Sequence, residues 1–154
     1  MKKIVIFLLM FAFVGANEDI HSVVYDLTTK DVAKFEKNIL KGISVNKAYY
    51  EGNLQELKVA VVIHGDAYRY FVKDIKNTIF IKDKKLLAQY PNLKKRIESM
   101  FSNYEVEFLM CKAAMKKNNL TAKDIVKFVK LIPNSTIGLI NKQNEGYAYI
   151  PVRN

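Results

Sequence analysis

The chain of 154 residues has the length of one domain, and half of it is hydrophobic, with nine Phe and nine Tyr. That composition excludes an intrinsically disordered chain. Lys and Arg outnumber Asp and Glu 25 to 15, a net charge of +10, but the lysines are spread over several segments, as on solvated helix faces. No glycine-rich RNA motif or arginine-rich arm accompanies them, so nucleic acid is not the expected partner.

The first 16 residues differ from the rest. Lys2 and Lys3 precede an unbroken apolar run from Ile4 to Val14, and the small-residue stretch Val14-Gly15-Ala16 gives way to polar Asn17-Glu18-Asp19. This is the pattern of a cleaved secretory signal peptide, and the apolar run is too short to span about 30 Å of hydrocarbon. The expectation is therefore a leader over 1–16, a single domain over 17–154, a periplasmic location and no membrane span in the mature chain. Removing Lys2 and Lys3 leaves 23 basic against 15 acidic residues, a net charge of +8.

Past the leader, the β-branched and aromatic stretch His21 to Leu27 reads as a strand. Thr28 to Asp31 offers N-cap chemistry, and Val32, Phe35, Ile39 and Ile43 recur at helical spacing up to the exit at Gly52-Asn53. Lys58 to Gly65 is the strongest strand, with five apolar residues in a row, as in a parallel sheet buried on both faces. Asp66 to Lys73 predicts a short helix. Asp83 to Asn103 predicts a second helical region, divided at Pro91 or restarted there. Val106 to Met110 is a third strand ending at Cys111, with a short helix expected to follow to Asn118-Asn119. Thr121 and Asp124 have capping-box spacing. A short strand over Val129 to Ile132, a helix over Ser135 to Asn144 and a last strand over Gly146 to Pro151 complete the chain. Five alternations of strand and helix imply a parallel α/β sheet with right-handed crossovers and helices on both faces.

In such sheets chemistry collects at the carboxyl ends of the strands. His64 ends the second strand, Cys111 the third, and Asn141 to Gly146 precedes the last. Cys111 is the only cysteine, so it forms no internal disulfide; it is buried and inert, paired between chains, or reactive. A helix start at Lys112-Ala113-Ala114-Met115 would favour its thiolate, with Lys112 as a nearby cation. His64 is a candidate proton carrier if the second and third strands are neighbours. Cys111 and Met115 at helical spacing, together with His64, form an alternative soft-ligand set suited to Cu(I), whereas no Cys-x-x-Cys or His-x-x-x-His pair favours zinc. Asn141, Gln143 and Asn144 are candidates to bind a small polar ligand or simply to form a turn. No GxGxxG, GxxxxGK[ST] or GxSxG motif occurs.

One family combines these segments. Val61-Val62-Ile63-His64-Gly65 with Ala67-Tyr68, Val106-Glu107-Phe108 with Met110-Cys111, Pro133, Ile137-Gly138-Leu139, Gln143 and Gly146-Tyr147-Ala148-Tyr149-Ile150-Pro151 together resemble the DsrE/DsrF-like family, in its exported branch. The resemblance implies a three-layer α/β/α domain on a mostly parallel five-stranded sheet, and homo-oligomers such as trimers or hexamers. It implies that Cys111 carries sulfur as a persulfide, assisted by His64, with a sulfur donor or acceptor protein or a small sulfur compound as partner and no cofactor. Lys112, Tyr68, Asn141 and Gln143 are then the candidate ligand contacts. The alternative from another class is a non-catalytic oligomeric module that binds Cu(I) or a small ligand.

Overall fold

A computed structural model describes residues 19–154; the leader expected over 1–16 lies outside the described residues. Strand β1 (Ile20–Leu27) leads into α1 (Val32–Phe35), a π-helical turn (Glu36–Lys41) and α2 (Gly42–Gly52), which run on without a break. Asp31 starts this helical stretch, its carboxylate accepting from the N–H groups of Ala33 and Lys34. Strand β2 (Glu56–Ile63) is followed by a 3₁₀ helix (Gly65–Tyr70) and by α3 (Lys84–Ser102). Strand β3 (Glu107–Cys111), β4 (Lys130–Ile132), α4 (Ser135–Asn144) and β5 (Ala148–Val152) complete the order.

The five strands form one parallel sheet in the order β4-β3-β2-β1-β5. Strand residues alternate between its faces. Val23, Tyr25, Leu27, Val59, Val61, Ile63, Phe108 and Met110 join the larger core, with Phe35, Ile39 and Ile43 from the first helical layer and Leu86, Leu93 and Ile97 from α3. Val24, Ala60, Val62 and Leu109 face the other way, under α4. Gly138 lets that helix lie close: a Cβ there would stand 3.5 Å from Val62 and collide with Ile132.

The winding explains the two layers. From β1 to β4 the chain steps always in one direction, so right-handed connections stay on one face. The return from β4 across to β5 reverses direction and places α4 on the opposite face. Segments leaving β3 and β4 therefore diverge to opposite sides of the sheet, which makes the carboxyl ends of these strands its topological switch point.

Two local expectations are corrected. α3 is continuous through Pro91, because Leu86, Tyr90, Leu93, Ile97 and Met100 bury one stripe spanning both halves while Pro91 stays exposed. No α-helix follows Cys111: residues 112–114 bend, and a short 3₁₀ turn (Met115–Asn118) ends at Asn119 in left-handed conformation. The capping box of Thr121 and Asp124 is present.

Candidate functional site

Cys111 closes β3 opposite Ile132 of β4, at the point where the winding reverses. Its residue is only 4% exposed. The backbone beyond it turns sharply, with Lys112 N–H donating to Ile132 O at 2.8 Å and Ala113 N–H to Pro133 O at 3.2 Å. Asn134 caps α4 by accepting from Ile137 N–H, which sets the first amides of that helix beside the thiol. Burial pushes the Cys111 thiol up, but the N–H of Ala114, the Tyr68 hydroxyl and the N–H groups of Ser135 and Ala113 outweigh it, so the thiol lies below its ordinary range.

The favourable helix end is thus that of α4, not a helix after Cys111. Tyr68 supplies the nearest polar side chain. It is fully buried on the 3₁₀ helix after β2 and donates to the Cys111 carbonyl oxygen at 2.5 Å. Burial and the neighbouring Cys111 raise the Tyr68 phenol well above its usual value, keeping it a proton donor.

His64 follows Ile63, which pairs with Met110 of β3, so it stands one strand over from Cys111. Its ring turns towards β1: Nε2 lies 2.5 Å from Asp26 Oδ1. Asp26 is 1% exposed, and its other oxygen accepts from the Tyr149 hydroxyl at 2.6 Å and from Arg153 at 2.7 Å. Burial raises the Asp26 carboxyl, but the donors Tyr149, Arg153 and His64 overcome it and hold the acid below its usual value. An ionised Asp26 accepts only, so His64 Nε2 carries the hydrogen and Nδ1 is the free basic position. Alternation along the strands sends Asp26 and His64 to the face that α4 covers, whereas Cys111, at the end of β3, packs with Tyr68 and Met115 in the larger core.

Asn141 and Gln143 are not part of this edge. α4 runs back along the sheet, and its far end is pinned to the start of β3 by Lys142, whose Nζ lies 2.7 Å from Glu107 and 2.8 Å from Glu145. Gln143 bonds the carbonyl of Leu139 within its own helix, and Asn141 is exposed. Lys112 is exposed beside Cys111. Met115 is buried in the larger core, and the bend before it removes the helical spacing that would pair it with Cys111. Among the described residues no group of three or more His, Cys, Asp and Glu is placed to hold a metal ion. A surface cavity of about 560 Å³ lies over Lys30 to Lys34 and the start of α3, but its acids Asp31 and Asp83 are already engaged as helix caps.

Sequence reasoning missed Asp26, Tyr149 and Arg153. The available signal was an acid inside the apolar run of β1, one residue before its carboxyl end.

Fold and site together define a parallel α/β domain with a lone thiol at the point where the winding reverses. The chain belongs to the DsrE/DsrF-like family, whose model matches residues 23–152. An uncharacterized protein of Aquifex aeolicus (strain VF5) is 26% identical over 159 residues, covering 98% of this chain and 64% of that protein; the chain thus spans under two thirds of that relative's length. The solved structure of MTH1491, a protein of unknown function from Methanobacterium thermoautotrophicum, superposes with a TM-score of 0.57 at 18% identity, over 85% of this chain and 98% of the other. That likeness concerns the fold. Among the described residues, no helix is long and apolar enough to cross a membrane.

Proposed function

We propose that the protein is an exported sulfur carrier that holds sulfane sulfur as a persulfide on Cys111. The observation that carries this reading is the setting of the thiol, beside the amides of Ala113, Ala114 and Ser135 and the Tyr68 hydroxyl, which favours thiolate over thiol. Family membership supports the same reading.

In the forward step the Cys111 thiolate attacks the outer sulfur of a donor persulfide. The donor's S–S bond breaks, its electron pair leaves with the donor thiolate, and Cys111 gains one sulfur atom. Delivery is the reverse exchange: an acceptor thiolate attacks the terminal sulfur and Cys111 departs as thiolate. Sulfane sulfur is handed on, so no outside oxidant or reductant is needed. The same donors that favour the thiolate make Cys111 a good leaving group. His64, held by Asp26, takes the proton from an incoming acceptor thiol through Nδ1. Homo-oligomeric assembly and a periplasmic location belong to this reading.

The test is intact-mass spectrometry after exposure to a low-molecular-weight persulfide. The expected result is one added sulfur atom, lost in Cys111→Ser and removed by a thiol acceptor. If Cys111 stays unmodified while an unrelated control thiol is loaded, the carrier reading fails.

A further inference from the structure

Half of the chain's net charge sits in one connection. Residues 112–130, the β3–β4 connection together with the first residue of β4, hold six lysines and a single acid, Asp124, for a net +5 against +10 for the whole chain. Lys112, Lys116, Lys117, Lys123, Lys127 and Lys130 are all exposed. Asp124 does not neutralise them: its carboxylate accepts from the N–H and hydroxyl of Thr121, both at 2.7 Å. Among the described residues, no carboxylate lies within salt-bridge distance of any of the six, whereas Lys142 on α4 is held by two.

This uncompensated charge adjoins the thiol. Lys112 follows Cys111 directly, Lys116 and Lys117 ride on the 3₁₀ turn just beyond it, and Lys130 pairs with Leu109, two residues before Cys111. We infer that the β3–β4 connection is a docking surface for an acidic protein partner at Cys111, an inference that rests on the carrier reading for what the partner exchanges there. Unrelieved positive charge of this kind steers an acidic surface into encounter, and its effect falls with ionic strength. Of the large apolar residues of the connection, Met115, Leu120, Ile125, Val126 and Val129 are buried, and Phe128 is half-buried with its ring packed on Phe101 and Phe108, so it has little to insert into a bilayer. It contains no arginine to grip phosphate with a bidentate fork. Both facts favour a carboxylate-rich protein over a membrane or a nucleic acid.

The probe is a fluorescein-labelled glutamate-rich peptide, with a peptide carrying serine for glutamate as control, read by fluorescence anisotropy. The glutamate peptide is expected to bind and to weaken as salt rises, and the serine peptide not to bind. The triple variant K112E/K116E/K117E is expected to lose about tenfold or more in affinity, and the neutral K112Q/K116Q/K117Q a smaller factor. An equal charge change on α3, K84E/K85E/K95E, is expected to leave affinity within about twofold, since those side chains lie outside the connection and charge is screened beyond about 8 Å at physiological salt. Equal losses in the two glutamate triples would overturn the proposal, as would tighter binding to phosphatidylglycerol vesicles or to a single-stranded oligonucleotide. Cys111→Ser is expected to keep peptide binding, so failure of docking and failure of sulfur loading are read separately.

Discussion

The Tyr68 hydroxyl donates to the carbonyl oxygen of Cys111 at 2.5 Å. The bond ties the end of β3 to the segment that follows β2 and places a phenol beside the thiol. Tyr68→Phe keeps the buried ring but removes the hydroxyl, leaving the Cys111 carbonyl short of a donor. The expected cost is about 1–3 kcal/mol in denaturant unfolding. The variant should also raise the pH midpoint for alkylation of Cys111, because one of the groups that favour its thiolate is gone.

The wild-type protein should show a depressed midpoint itself. The alkylation rate of Cys111 should reach half its plateau at a lower pH than that of an unstructured peptide thiol measured under the same conditions. The sign carries over to stability. A group whose folded pKa is lowered contributes stability that is fully present above its unfolded pKa and is lost as pH falls through the folded value. Stability of the reduced protein should therefore rise with pH across this window, and Cys111→Ser should flatten the rise. An unchanged slope in that variant would sink the assignment of the shift to Cys111.

Much of this arrangement was legible in the sequence. Val59 to Ile63 is an unbroken apolar run of the kind a buried parallel strand carries, Val106 to Met110 is apolar but for Glu107 at its start, and their ends placed His64 and Cys111 on one edge. The helix read over Ser135 to Asn144 is α4 to the residue, and the structure adds its cap, Asn134. What was not legible depends on topology. Lys112 to Met115 has the composition of a helix start, yet the chain must turn there to meet Pro133, and the amides near Cys111 include one from Ser135, 24 residues further on. Asn141 and Gln143 appeared to precede the active edge only while the direction of α4 was unknown. Asp26 drew no notice within the first strand, because its donors Tyr149 and Arg153 come from the far end of the chain.

Asp26→Asn tests that cluster. Asparagine fits the space but turns an amide towards donors that need an acceptor, so at least one of Tyr149, Arg153 and His64 loses its partner. The expected loss is about 1–3 kcal/mol at neutral pH. The folded pKa of Asp26 is lowered, so its contribution is present above the unfolded value near 3.9 and disappears as pH falls through the folded one. The gap between wild type and variant should therefore shrink below about pH 4. Nitrogen-15 spectra of His64 should show Nε2–H as the neutral tautomer in wild type and a mixture in the variant, a change that loss of stability alone does not produce.

Gly65 links His64 to the helix that carries Tyr68, and it does so at a φ of +59°. That conformation is open to glycine and strained for residues with a Cβ. A Cβ there would also sit 3.2 Å from Cβ of Thr28, a contact relieved only by moving the loop after β1. Gly65→Ala is expected to lower stability by about 1–2 kcal/mol. Relaxing the strain would rotate the 3₁₀ helix and lengthen the Tyr68–Cys111 bond, so the alkylation midpoint of Cys111 should rise towards that of Tyr68→Phe. In the double variant the two midpoint shifts should add to less than their sum, since both act through the same hydroxyl. Full additivity would place the effect of Gly65 elsewhere than at Tyr68.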